Sequence, residues 1–221
     1  MDKRTEAYLL TRDLLGKVVA ALMLAILSPL FAFIAILIAV RMGRPIMFRQ
    51  QRVGRYGEVF WILKFRTLIN NAEEIGSGCI PAELNLMPPL GEKLRRYSLD
   101  ELPQLINIIR GDMSFVGPRP ALPQHYARYS PRQAQRVLVP QGLTGLAQVA
   151  YRADAPWSRR IMKDLEYVSK VGPLLDLQIL IATAFKVVRA EDVMEKLPPS
   201  EVDDFGPEGW GHQAAGDVGA K

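Results

Sequence analysis

VVAALMLAILSPLFAFIAILIAV, residues 18–40, decides the architecture of this chain, because only Ser28 and Pro29 in it are not hydrophobic. As a helix rising about 1.5 Å per residue the stretch reaches roughly 34 Å, enough to cross a hydrocarbon core of about 30 Å. A cleaved signal peptide is one rival reading, but its apolar region runs about 7–15 residues and ends at a small-residue cleavage site. Here the apolar run is longer and leads into Arg41, Gly43, Arg44 and Pro45. A buried helix of a soluble core is the second rival, and the length argues against it. The segment is read as a membrane helix.

Whether it spans or turns back is a separate question. Pro29 lies at the middle and removes the hydrogen bond to Ala25, so a kink is expected between the arms Val18–Leu27 and Leu30–Val40. Each arm covers about half a bilayer. Lys3, Arg4, Arg12 and Lys17 precede the segment, and Arg41, Arg44, Arg49, Arg52 and Arg55 follow it. Positive residues mark the cytoplasmic side, so flanks positive on both sides favour a re-entrant helix over a spanning one. Ser28 is placed to return a hydrogen bond to a freed carbonyl, which limits the cost of broken helix in lipid.

Outward from this segment, the 221 residues carry a net charge of +5 and 49% hydrophobic residues, and the sequence pI is about 9.4. A basic excess suits nucleic acid, or anionic lipid and phosphorylated substrates. No helix-turn-helix, zinc-finger or RNA-binding signature accompanies it, so lipid and phosphate are favoured and nucleic acid is not expected. Cys79 is the single cysteine, which excludes a disulfide framework. His125 and His212 have no metal-ligand spacing, and neither a Walker A loop nor a G-x-G-x-x-G fingerprint is present.

Beyond the helix, Met47–Gln50 and Val59–Arg66 read as short strands about a Gly54–Gly57 turn. Asn70–Pro89 reads as loop with a helical turn, Gly91–Tyr97 as a short basic helix, and Glu101–Ile109 as a helix capped by Gly111. Gly- and Pro-rich loops follow at Gly117–Pro120 and Pro140–Gly145. Trp157–Val171 has helical spacing. Leu174–Arg189 sets Leu174, Leu177, Leu180, Ile181, Ala184 and Val188 on one stripe, open to core packing or to interfacial membrane contact. From Glu191 a mobile tail without catalytic role is expected. The predicted fold class is α+β, mostly helical: a monotopic membrane protein with a re-entrant, Pro-kinked N-terminal helix, a small β-hairpin and amphipathic interfacial helices. Its predicted divisions are residues 1–44 for the membrane helix and flanks, 45–190 for a catalytic domain, and 191–221 for the tail.

The chemistry concentrates in Arg95–Pro120, RRYSLDELPQLINIIRGDMSFVGPRP. Pro103 belongs in the first turn of a helix, where N–H groups have no intrahelical partner, so the helix is expected to begin close to Asp100. Asp100 then sits at or beside the N-cap with Glu101 in the first turn, and both could simply be caps. Against that stand Arg95, Arg96, Arg110 and Arg119, enough cations to bind several phosphate oxygens. The helix N-terminus is expected to hold the Asp100 pKa low. Adjacent carboxylates can share a Mg²⁺ that bridges to substrate phosphates. A carboxylate nucleophile, a metal and a ring of arginines suit phosphoryl transfer, and would equally suit a metal-dependent phosphatase.

KFRTL (Lys64–Leu68), SLDELPQLINIIRGDMSFVGPRP (Ser98–Pro120) and GLTGLAQV (Gly142–Val149) resemble the bacterial sugar transferase family, the monotopic phosphoglycosyl transferases. With the Ser28-Pro29 step, the similarity runs from about residue 8 to 190, in the small form that holds the catalytic domain alone. The resemblance implies transfer of a phosphosugar from a UDP-sugar to undecaprenyl phosphate with release of UMP, at the cytoplasmic face of a bacterial inner membrane, as the first membrane step of a glycoconjugate. It implies a covalent phosphosugar-aspartate, with Asp100 as nucleophile, Glu101 as its partner and Mg²⁺ bound at the dyad. Lys64, Arg95 and Arg119 match positions that hold phosphates, and Asp176 in LLDLQ matches an acidic position assigned to substrate binding. It also implies the re-entrant course of the membrane helix.

Departures occur at Gln141-Gly142, where relatives often carry Pro-Gly, at Ala150-Tyr151-Arg152 in place of Asn-Gly-Arg, and across Ala72–Leu90. They leave the dyad untouched and bear on the sugar and the nucleotide contacts. The sugar, the lipid length, the glycan pathway and the oligomeric state, a homo-oligomer included, are not legible. Two other classes stay in view: a membrane-bound carboxylate phosphatase, and a basic anchored module that binds lipid or a partner.

Overall fold

The computed structural model describes residues 2–69, 86–151, 155–189 and Asp204. Its longest element is α1, Lys3–Met42, opened by Asp2, whose carboxylate accepts from Thr5 N at 2.7 Å, and closed at Gly43, with φ 76°. Pro29 lies inside α1, and the two expected arms belong to this one helix. Proline takes the donor away from the Ala25 carbonyl, and Ser28 Oγ supplies a replacement at 2.8 Å, the role expected of it. Leu22, Ile26, Phe33, Ile36 and Val40 are exposed, so among the described residues much of the helix presents apolar surface.

Three packing clusters run along α1. Leu9 packs with Val116, Val139, Tyr167 and Ile179. Ala20 and Leu24 pack with Leu105, Ile108 and Met113. Phe31, Ile34 and Ile38 pack with Phe65 and Leu94. Residues on both sides of the Ser28-Pro29 step therefore meet the same body.

The hairpin is present as β1, Met47–Val53, and β2, Val59–Phe65, antiparallel with Met47 opposite Phe65 and Val53 opposite Val59. Tyr56 and Gly57, at φ 58° and 88°, supply the left-handed turn. Arg66, expected in the second strand, lies just past its end, its N–H still donating across the hairpin to Ile46 O at 2.9 Å. Its buried guanidinium donates to the carbonyls of Met42, Gly43 (2.7 Å) and Arg44 (3.1 Å), satisfying acceptors that the end of α1 leaves open.

Next come α2, Pro89–Arg96, a single tight turn at Leu99–Glu101, and α3, Gln104–Arg110, ended by Gly111 at φ 90°. Asn107 of α3 completes the outer edge of β2 as a strand would. Its Oδ1 accepts from Leu63 N at 3.0 Å and its Nδ2 donates to Trp61 O at 2.8 Å, while Asp112 Oδ2 takes the second amide proton.

A pair of short parallel strands, β3 (Ser114–Val116) and β4 (Gly142–Thr144), was not expected from the sequence. The glycines of the two Gly-rich loops cross beside it. A Cβ on Gly117 would lie 2.2 Å from Pro140 O, one on Gly142 2.1 Å from Gly117 N, and one on Gly145 2.1 Å from Gly117 O. Between the strands lie α4 (Pro123–Tyr126) and α5 (Pro131–Ala134), and after them α6 (Leu146–Ala150), α7 (Trp157–Lys170) and α8 (Pro173–Val188).

The stripe on α8 faces outward: Leu174, Leu177, Leu180, Ile181 and Ala184 are exposed, whereas Asp176 and Ile179 carry the buried face. Core packing is thereby overturned as the role of those residues. The loop expected over Asn70–Pro89 lies mostly outside the described residues. So does the tail from Glu191 except Asp204, whose carboxylate accepts from Ser158 N at 3.0 Å near the start of α7.

Candidate active site

Ser98 makes the site's first turn. It follows α2 in the left-handed region, φ 54°, where few residues other than glycine settle, and so redirects the chain after a helix end. Its carbonyl accepts from Glu101 N at 3.2 Å, closing the turn that holds Asp100 and Glu101. Leu102 and Pro103 carry helical backbone angles into α3. The helix expected from Glu101 begins only at Gln104, with Pro103 as its N-cap residue and Asp100 and Glu101 in a separate tight turn before it. Neither carboxylate caps the helix: no side-chain cap forms at Ser98 or at Pro103. The simple cap reading of Asp100 fails on that geometry.

Glu101 is clamped. Lys64 Nζ lies 2.6 Å and Arg119 Nη2 3.0 Å from the same oxygen, Oε1. Burial alone would raise this carboxyl, but the two cations outweigh it and hold the pKa well below the usual carboxylate range. Burial in turn pulls Lys64 down, with Glu101 opposing. β2 delivers Lys64, and the Gly117–Pro120 loop delivers Arg119.

Asp100 is the opposite case. It is buried, and among the described residues no hydrogen bond reaches its carboxyl. Burial and the neighbouring Glu101 charge raise its pKa from 3.8 to about 6, against the pull of Lys64, Arg95 and Arg119. The expected low pKa from the helix N-terminus is corrected here: burial and a like charge next door dominate. Two adjacent carboxyls thus have opposed environments, one fixed as an anion and one titrating close to neutrality. That divergence separates their chemical roles.

Of the expected cations, Lys64, Arg95 and Arg119 surround the dyad. Arg95 is steadied by its Nε donating to Thr67 Oγ1 at 3.0 Å. Arg96 instead pairs with Glu92 along α2 at 2.8 Å, and Arg110 is exposed at the end of α3. Asp176 is not brought to the dyad. It accepts from Tyr8 (2.8 Å), Tyr167 (2.7 Å) and Arg12 (2.9 Å), an arrangement that ties the start of α1 to α7 and α8. Its one charged partner in that network is Arg12.

The donor set fits Mg²⁺ in a limited way. Among the described residues no group of three or more His, Cys, Asp or Glu could cage a metal. Mg²⁺ commonly takes one or two carboxylates and completes its shell with water and substrate phosphates, and Asp100 beside Glu101 offers that. Sequence reasoning missed Asn107, Thr67, Arg66 and the buried pair Arg136–Asp164. Asn107 and Arg66 stood inside quoted motifs, but which carbonyls they reach is set by distant segments.

Comparison with known proteins bears on the same residues. A family model described as bacterial sugar transferase matches residues 7–190. An uncharacterized sugar transferase, EpsL, of Bacillus subtilis is 36% identical over 176 residues, covering 80% of this chain and 86% of that protein. The UDP-glucose:undecaprenyl-phosphate glucose-1-phosphate transferase of Caulobacter vibrioides is 38% identical over 184 residues, 79% of this chain and 68% of its own length. The undecaprenyl-phosphate galactose phosphotransferase of Salmonella typhimurium is 34% identical over 189 residues, 79% of this chain but 40% of the longer relative. The matched span takes in α1, the dyad turn, all three of its cations and α8, and on that coverage the chain belongs to the bacterial sugar transferase family.

Proposed function

We propose that this protein transfers a sugar 1-phosphate from a UDP-sugar to undecaprenyl phosphate through a covalent phosphosugar on Asp100. The observation that carries this reading is the split dyad: a buried carboxyl that accepts no hydrogen bond from the described residues, beside a glutamate locked between two cations. In the first half-reaction an Asp100 oxygen attacks the β-phosphorus of the donor. The bond from that phosphorus to the bridging oxygen breaks, and UMP leaves with the bridging oxygen. In the second, a phosphate oxygen of undecaprenyl phosphate attacks the same phosphorus and the acyl phosphate bond breaks, restoring the Asp100 carboxylate. Such transfers depend on positioning and on neutralising charge that spreads over phosphoryl oxygens.

Lys64, Arg95 and Arg119 supply that neutralisation. Glu101 holds Lys64 and Arg119 in place, so that their positions exist before substrate arrives. Mg²⁺ would be held by Asp100 and Glu101 together with donor phosphates, and would add charge neutralisation at the diphosphate.

The membrane helix fits the same chemistry as a re-entrant element at the cytoplasmic face of the inner membrane. Arms on both sides of Ser28-Pro29 pack on the body that holds the dyad, which supports both flanks lying on one side. The exposed apolar face of α8 supports a position at the interface beside it. The site then meets a water-soluble donor and a lipid phosphate at one boundary.

Detergent-solubilised protein with Mg²⁺, undecaprenyl phosphate and a panel of UDP-sugars tests the reading. UMP is the expected product, and release of UDP would refute it. Asp100→Asn should abolish turnover and remove the phosphosugar adduct from an intact mass spectrum. An N-terminal tag accessible from the periplasm would exclude the re-entrant course.

A further inference from the structure

Resting on the phosphotransfer reading of the same site, we propose that Arg136 is a positioning residue that aims Arg119 at the dyad by gripping its backbone. Arg119 sits in Gly117-Pro118-Arg119-Pro120, where the two prolines carry no N–H and leave the loop dependent on what captures its carbonyls. Pro118 O accepts from Gly142 N at 2.9 Å and Pro120 O from Arg52 Nη1 at 3.1 Å. The carbonyl between them, that of Arg119 itself, accepts from Arg136 Nη2 at 2.7 Å. The orientation of that peptide sets the direction in which the Arg119 side chain leaves the loop, and Arg119 Nη2 reaches Glu101 at 3.0 Å.

Arg136 is itself immobilised. It is 2% exposed, its Nε lies 3.0 Å from Asp164 Oδ2, its Nη2 also bonds that oxygen, and its Nη1 lies 3.4 Å from the Tyr129 hydroxyl. Its guanidinium carbon sits 5.8 Å from the Tyr129 ring centroid. Stability is a poor explanation for this pair. Asp164 Oδ1 is buried with no hydrogen-bond partner among the described residues, and two desolvated charges rarely outperform apolar residues of similar volume. What the pair supplies instead is a rigid, many-donor fork at a fixed point beneath the loop, which an ammonium would not reproduce.

The test replaces the pair with apolar residues, Arg136→Met with Asp164→Leu, in the full chain in lipid nanodiscs. A fold is expected to survive this exchange. UMP release should fall about tenfold or more, because misplacing a charge-stabilising group by about 1 Å is costly. Adding Arg119→Ala to that background should cost nothing further, although Arg119→Ala alone lowers the wild-type rate. An unchanged rate in the paired variant, or an Arg119→Ala loss of equal size in both backgrounds, would overturn the proposal. Arg136→Lys, which keeps the charge opposite Asp164, serves if the paired variant does not fold; it should show the same loss of the Arg119 effect.

A second readout needs no turnover. In ¹⁵N-arginine-labelled protein the Arg119 Nε–H signal, assigned by its disappearance in Arg119→Lys, should be sharp in the wild type and broadened in either Arg136 variant. Equal signals overturn the proposal, as does a wild type without one. A wild type that releases no UMP would refute the phosphotransfer reading, while this signal still decides the positioning.

Discussion

Asp100→Asn should kill transfer and yet make the protein more stable at neutral pH. The folded environment raises this carboxyl from 3.8 to about 6. The sign follows from proton binding. Below about 3.8 the group is protonated folded or unfolded, so it contributes no difference. Between 3.8 and about 6 only the folded state holds the proton, so stability falls as pH rises through that window. Above about 6 the ionised group sits where its charge is disfavoured, at a cost on the order of 3 kcal/mol. Asparagine has the same outline and no charge. At pH 8 the variant should therefore melt about 6–12 °C higher, since roughly 2–4 °C accompanies each kcal/mol in a chain of this size. At pH 4 the gap should nearly close. Scanning calorimetry of both proteins in nanodiscs, without Mg²⁺ or substrate and at one scan rate, reads this directly. Equal melting at pH 8, or a less stable variant, would refute the electrostatic account of the dyad.

The same group sets the pH dependence of the rate. UMP release at subsaturating donor should rise about tenfold per pH unit below about 6 and level off above it, as Asp100 ionises. A profile flat from pH 5 to 8 would remove Asp100 as the titrating nucleophile. Asn107→Leu strips the amide from the edge of β2 and leaves Leu63 N and Trp61 O without their partner, which should cost about 2–4 kcal/mol, read as a lower melting temperature. Gly117→Ala would place a methyl 2.2 Å from Pro140 O, so β3 and β4 cannot keep their spacing, and loss of folded protein on size-exclusion is expected. Glu101→Gln should leave Lys64 and Arg119 less well fixed, lowering the rate of adduct formation by about 100-fold while the protein stays folded.

The site was legible where chemistry is local in sequence. Asp100 and Glu101 are adjacent, Pro103 follows them within a turn, and Arg95 and Arg119 lie within the same quoted stretch, so a single stretch carried the dyad and two of its cations. Lys64 entered through family resemblance, and the structure brings it and Arg119 onto one oxygen of Glu101. What failed was electrostatic. The helix-terminus argument gave Asp100 a low pKa, because burial cannot be read from a sequence that places no neighbours around the group. Asp176 has the same limit: an acidic residue in a motif looks alike whether it meets a substrate or, as here, two tyrosines and an arginine.

By itself the sequence determined the long apolar helix, because a run of apolar residues of that length needs lipid or a core around it. It also determined the hairpin and the long helices, whose periodicity is a property of consecutive residues. Even the exchange at Ser28-Pro29 followed locally, since a proline removes one donor and the preceding hydroxyl sits within reach of the orphaned carbonyl. Only the tertiary structure decided which face of α8 is buried, that Asn107 finishes a strand edge, and that glycines at positions 117, 142 and 145 cross without room for a Cβ. Each of those depends on backbone from a remote part of the chain arriving within hydrogen-bonding or van der Waals distance. No window of neighbouring residues contains that information.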